Sequence, residues 1–154
     1  MSSQIALESV TDAEFAAWRG FVRVHASVVK QLDADLEASH QLPLTSYEVL
    51  ATLGDQPGGK MRMCDLADAV VLSRSGLTRL VDRLGRDGLI ERAECASDAR
   101  GAYAVLTAAG RERLHEAEPL HREMIERRFL SYFSDEELQV LAGFWERVLD
   151  TPQT

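Results

Sequence analysis

Cysteine is nearly absent from this sequence: its 154 residues carry two, Cys64 and Cys95. Thirty-one positions apart, they have neither the paired spacing of a zinc site nor the number a disulfide framework needs, so two reduced thiols are expected. No apolar run approaches the ~18 residues that suggest a membrane span. The opening MSSQIALESVTDAEF lacks a basic start followed by an apolar core, so no secretory signal is read and a cytoplasmic protein without membrane partners is expected. Catalytic signatures are missing too. His115 and His121 do not form an HExxH pair, and there is no glycine-rich phosphate loop and no GxSxG elbow. Enzymatic activity, a metal site and a bound cofactor are therefore not expected. Basic residues are the minority charge, 17 against 25 acidic, for a net charge of -8.

What is present fits one globular domain, with 45% hydrophobic and 27% charged residues. Three Ser/Thr-x-x-Glu patterns predict helix starts at Thr11/Glu14, Thr45/Glu48 and Ser134/Glu137. After the first, Phe15, Trp18, Val22, His25, Val29, Leu32 and Leu36 recur at alternating steps of three and four, the seam of helices packed lengthwise. A short helix from Thr45 to about Leu53 stops at GDQPGG. Met61 to Val71 fits an extended lead-in and a two-turn helix, with Leu66, Ala67 and Val70 inward. Ser73 then caps a helix that reaches about Asp87 and stops at Gly88. LIERAEC and AYAVLT read as a short hairpin around a polar turn. A long helix follows from Thr107 to about Ser131, with a kink expected at Pro119. The last helix gathers Leu138, Leu141, Ala142, Trp145, Val148 and Leu149 on one face.

The charge is unevenly spread. Residues 1–59 carry a net -5, residues 60–101 a net +1 and residues 102–154 a net -4. Within the non-negative part, VLSRSGLTRLVDRL (71–84) places Leu77, Leu80, Val81 and Leu84 on one helical stripe. At about 100° per residue, Ser75, Arg79 and Arg86 lie opposite that stripe, Thr78 and Arg83 on its flanks and Arg74 in the first turn. A helix preceded by a shorter one across a tight turn is the helix-turn-helix arrangement, whose second helix enters the DNA major groove. Arginine can bond both acceptors of a guanine, and hydroxyls at a helix start suit phosphates. The other reading is a solvated arginine face. A hairpin turn that carries Asp98 and Arg100 favours DNA, since an arginine there can enter a narrow minor groove.

LTSYEVLATL (44–53), MRMCDLADAVVLSRSGLTRLVDRLGRDGLIER (61–92), SDARGAYAVLTAAGRE (97–112) and SDEELQVL (134–141) closely resemble the MarR family of bacterial transcription regulators. The resemblance implies a mainly α fold with a small β-hairpin wing, a winged helix-turn-helix flanked by N- and C-terminal dimerisation helices. Residues 11–40 and 107–150 would be those helices and residues 44–106 the DNA-binding lobe, within a single domain of residues 1–154. It implies a homodimer on a pseudo-palindromic operator of double-stranded DNA, most often as a repressor. Ser73, Arg74, Ser75, Thr78 and Arg79 would meet the major groove and nearby phosphates, with Arg83 on the flank. Arg100 would be the wing-tip arginine and Asp98 its acidic companion. Where many members have DRR at the wing this chain has Asp98-Ala99-Arg100, one charge fewer, and Met63 or Cys64 stands where a Ser or Thr often caps the third helix.

Relatives of this kind commonly bind small aromatic or phenolic acids, and Trp18, His25 and Tyr47 are the residues that would line such a pocket here. Core or interface packing is the alternative for each. Two other functional readings stay open: a winged-helix module that docks on an acidic protein, and a thiol-based redox sensor. Against the sensor, reactive cysteines of the family's thiol-sensing branch lie in the N-terminal helix, where this chain has none.

Overall fold

The computed structural model describes residues 10–94 and 101–150. Cys95, Asp98 and Arg100 lie outside the described residues. Helix α1, Asp12–His40, opens with the expected capping box: Thr11 Oγ1 accepts the Glu14 N–H at 3.2 Å, and the Thr11 N–H donates to Glu14 Oε2 at 2.8 Å. Short helices α2 (Leu44–Gly54), α3 (Met63–Ala69) and α4 (Arg74–Arg86) follow, with one strand between α2 and α3, then two more strands and two further helices, α5 (Ala108–Arg128) and α6 (Asp135–Leu149). The second capping box in α6 also forms, with Ser134 and Glu137 as predicted.

The third does not. Helix α2 begins at Leu44, with Pro43 at the cap position and no side-chain cap bond. The Leu44 N–H instead donates to Asp33 Oδ1 of α1 at 2.8 Å. The fixed φ of proline suits a helix entry, and an acceptor from a neighbouring helix already occupies the role assigned to Thr45.

The extended lead-in is a strand, β1 (Lys60–Arg62), and the expected hairpin is β2 (Ile90–Glu94) with β3 (Ala102–Leu106). All three strands join one antiparallel sheet in the order β1-β3-β2, so the predicted two-stranded hairpin becomes the larger part of a three-stranded sheet. A three-residue strand is too short to announce itself by alternation. Helix α5 continues through Pro119 and ends at Arg128, before a 3-10 turn at Leu130–Tyr132.

The core lies inside the lobe built from α2, α3, α4 and the sheet. Leu50, Leu53, Leu66, Leu77, Val81, Ile90 and Ala104 are fully or almost fully buried there, joined by Leu36 from α1. Each buried Leu, Ile or Val contributes about 1.5–3 kcal/mol over leaving it exposed. Helix α1 is tied to α5 at two points. Arg113 Nη2 donates to the His40 carbonyl at 2.6 Å, and Arg128 binds Asp35 Oδ2 at 2.6 and 3.1 Å and also Gln31. Helix α6 buries no residue.

Candidate nucleic-acid interface

Helix α4 is oriented by its stripe. Leu77, Leu80, Val81 and Leu84 are buried, which leaves Ser73, Arg74, Ser75, Arg79, Arg83 and Arg86 exposed. Its start is set by Ser73, whose Oγ accepts the Gly76 N–H at 3.0 Å. Accepting that bond leaves the Ser73 hydroxyl hydrogen available to a phosphate oxygen. Ser75 Oγ lies 3.3 Å from it, a second hydroxyl at the same helix end.

Thr78 is placed differently. It is half-buried, and its hydroxyl donates to the Arg74 carbonyl at 2.9 Å, so its one donor is engaged within the helix. Arg79 Nε donates to the Ser75 carbonyl at 3.3 Å, which leans the guanidinium back along the exposed face toward the helix start. Asp82, the one acid among residues 74–86, pairs with Arg92 of β2 at 3.3 Å. Arg74, Arg79, Arg83 and Arg86 thus keep their charge outward, with no ion pair among the described residues.

Both ends of the turn-and-helix unit are held by backbone geometry. Helix α4 ends with the Leu89 N–H on the Leu84 carbonyl at 2.9 Å and the Gly88 N–H on the Gly85 carbonyl at 3.1 Å, with Gly88 at φ +75°. This is the Schellman motif, whose left-handed position favours glycine. The α3–α4 turn repeats it: Leu72 N–H to Ala67 carbonyl at 3.0 Å and Val71 N–H to Asp68 carbonyl at 3.4 Å, with Val71 at φ +55°. Here the left-handed residue is a valine, 89% exposed.

The wing is anchored at its base through LTAAG (106–110). Thr107 Oγ1 donates to the Gly88 carbonyl at 2.6 Å and accepts the Gly110 N–H at 3.0 Å. A Cβ on Gly110 would sit 2.1 Å from the Leu89 carbonyl oxygen, so only glycine permits this approach. The end of α4, the hairpin base and the start of α5 are therefore locked together.

The three residues expected at a ligand pocket are not brought together. Trp18 and His25 flank Phe21 on α1, with ring centroids 5.9 and 6.2 Å away, and Phe21 meets Trp145 of α6 at 5.2 Å. This cluster borders an apolar hollow of about 440 Å³ lined by Phe21, Val24, His25, Phe133, Leu141 and Trp145. Tyr47 is buried elsewhere, stacked on His121 of α5 at 4.1 Å. Burial raises the Tyr47 hydroxyl and lowers the His121 imidazole from their ordinary values, with the Glu118 carboxylate pulling both upward. Sequence spacing contained no signal for His121, which reaches Tyr47 only through packing of α5 on α2. Cys64 is exposed and its thiol donates to Asp65 Oδ1 at 3.7 Å. Among the described residues, no helix is long and apolar enough to cross a membrane.

A family model described as MarR family matches residues 40–101, which include both helices of the turn and strands β1 and β2 but stop before β3. The structure is similar to that of AbsC, a MarR family transcriptional regulator from Streptomyces coelicolor, with 34% identity and a TM-score of 0.85 over 92% of this chain and 95% of that one. It is also similar to Sco3205, a MarR family transcriptional regulator from Streptomyces coelicolor solved in complex with DNA, with 28% identity and a TM-score of 0.88 over 95% and 91% of the two chains. The HTH-type transcriptional regulator MhqR of Bacillus subtilis is 30% identical over 71% of this chain and 73% of its own length. The chain spans between 63% and 79% of the length of four Bacillus subtilis regulators that it matches. With its winged helix-turn-helix and its likeness to regulators rather than enzymes, the chain belongs to the MarR family of transcriptional regulators.

Proposed function

We propose that this regulator acts as a homodimer, repressing transcription from a pseudo-palindromic operator that two copies of α4 read in adjacent major grooves. The observation that carries this reading is the α4 face: a fully anchored helix that presents Ser73, Arg74, Ser75, Arg79 and Arg83 outward, its arginines in no ion pair with an acid among the described residues. Arg79, leaning toward the helix start, is assigned to a base edge, and Ser73 and Arg74 to phosphates. Thr78 keeps a contact role through its methyl group, its hydroxyl being engaged. Arg100 and Asp98 retain the wing-tip roles implied by the family resemblance. Residues 44–106 form the reading lobe and residues 11–40 and 107–150 the dimerisation helices, on which apolar side chains lie exposed in the single chain.

The two reading helices of such a dimer are about 34 Å apart, one turn of B-DNA. A mobility shift on duplex flanking the regulator's own gene tests the assignment. Arg79→Ala is expected to weaken specific binding by about 1–3 kcal/mol, and the Arg79→Ala, Arg100→Ala pair to abolish the retained band. An unchanged band in that double variant removes the assigned surface, and absence of any band with the unaltered protein at low salt favours a protein partner for α4.

A small aromatic or phenolic acid is the proposed effector, and the hollow beside Phe21 and His25 is its proposed site, because it is apolar and lies between the α1 and α6 helices that set the spacing of the lobes. Tyr47 stands outside this site. Addition of aromatic acids is expected to lower operator affinity, and His25→Ala to blunt the response.

A further inference from the structure

The sheet that ends in the wing has two chemically different faces. Strand pairing aligns Met61 with Ala104 and Arg92, and Leu106 with Ile90. Ala104, Leu106 and Ile90 are buried, so this row faces the core. The alternate rows face outward: Lys60 with Val105 and Glu91, and Arg62 with Tyr103 and Ala93. On this outer face Lys60 Nζ lies 5.7 Å and Arg62 Cζ 5.9 Å from the centroid of the Tyr103 ring. Two cations share one aromatic platform, on a chain whose net charge is -8.

We propose that this outer face, through Lys60, Arg62 and Tyr103, is a second DNA-contacting surface that grips the sugar–phosphate backbone of duplex flanking the half-site read by α4. The proposal rests on the DNA-reading function above and extends the footprint beyond it. Three observations point to a nucleic-acid backbone. Lys, Arg and Tyr are among the side chains that donate to phosphate oxygens, and all three project from one face. A cation over a ring is partly ordered before binding, so less side-chain freedom is lost when a phosphate arrives. Among the described residues, the acid on the strands of this face, Glu91, belongs to the opposite edge strand, with β3 between it and Lys60.

Position supports the same partner. Strand β1 is an edge strand, and the Arg62–Tyr103 pair is one rung from the Glu94–Ala102 pair where the hairpin leaves the sheet. Arg62 is also the residue that precedes α3, the first helix of the helix-turn-helix. A hairpin directed at the groove beside α4 carries this face along the adjoining backbone.

The test compares full-length protein on two duplexes, the operator palindrome alone and the same palindrome extended by about one helical turn (roughly 10 base pairs) on each side, by fluorescence anisotropy across a salt series. Lys60→Gln, an exposed substitution, is expected to reduce the salt slope on the extended duplex by about 0.9 per lost phosphate contact, near 1.8 for a dimer, and to leave the short duplex unaffected. Tyr103→Ala should act in the same direction if circular dichroism shows it folded. An unchanged slope for Lys60→Gln on the extended duplex overturns the proposal, as does an equal loss on both duplexes, which would place Lys60 inside the core site. Arg79→Ala, measured in parallel, separates the two readings: its silence removes DNA reading by α4, whereas its loss of binding beside a silent Lys60→Gln removes only the flanking grip.

Discussion

Val71 and Gly88 occupy the same position of the same hydrogen-bonded motif, at φ +55° and +75°. Only one of them suits it. A left-handed backbone costs an L-residue roughly 1–2 kcal/mol, and a valine, branched at Cβ, is among the least tolerant. Its side chain, 89% exposed, recovers nothing by burial. Val71→Gly is expected to raise stability by about 0.5–1 kcal/mol, the strain relieved less the added freedom of glycine in the unfolded chain, read as a higher urea midpoint. A lower midpoint would show that the turn is not held left-handed in solution. At this scale the sequence was readable where residue and role agree. Ser73 as a cap and Gly88 as a stop follow from side-chain chemistry alone. Val71 was not readable, because valine normally signals the opposite backbone region, and only the paired N–H bonds to Asp68 and Ala67 reveal the motif. Thr78 illustrates the same limit in the binding face: helical geometry put it on the flank, but the destination of its hydroxyl is a matter of rotamer.

The element scale adds competition between segments. Thr11/Glu14, Thr45/Glu48 and Ser134/Glu137 share one spacing, yet only the outer two close into capping boxes. Before α2, the chain turns back on α1 and Asp33 arrives first, its carboxylate accepting the Leu44 N–H at 2.8 Å. Asp33→Ala is therefore expected to cost about 1 kcal/mol, the usual value of a lost cap, with Thr45→Ala close to neutral in chemical denaturation. The reverse ranking would restore Thr45 as the cap. The same dependence on distant partners hid β1. Lys60–Arg62 has no periodicity to detect, and it is a strand because β3 offers a free edge. The helix order and the anchored stripe of α4 were legible because each is fixed by neighbours within a few residues, whereas the LTAAG lock joins Thr107 and Gly110 to Gly88 and Leu89 and shows only in the fold.

At the scale of the whole molecule, α1 and α6 leave an apolar surface that the proposed dimer would cover. Trp18 is 60%, Val148 59% and Leu149 80% exposed, and apolar residues occur on more than one side of α6, with Val140 and Phe144 exposed as well as Trp145. A helix apolar around much of its girth is one that is covered on several sides. Its own α1 supplies one cover, through the Phe21–Trp145 contact, and a partner protomer is assigned the other. The sequence pattern showed these stripes but not what they face, because the proposed partner is a second chain. Trp18→Glu with Val148→Glu alters two side chains that a single protomer leaves largely in water, so the protomer's own packing is little disturbed. In sedimentation velocity this variant is expected to run as a monomer. Its operator affinity should fall by 10²–10⁴-fold, the advantage normally gained when two linked modules engage two half-sites. A retained dimer would move the interface away from these faces. A monomer that still binds the full operator with undiminished affinity would mean that one reading head suffices, and the palindrome would lose its role.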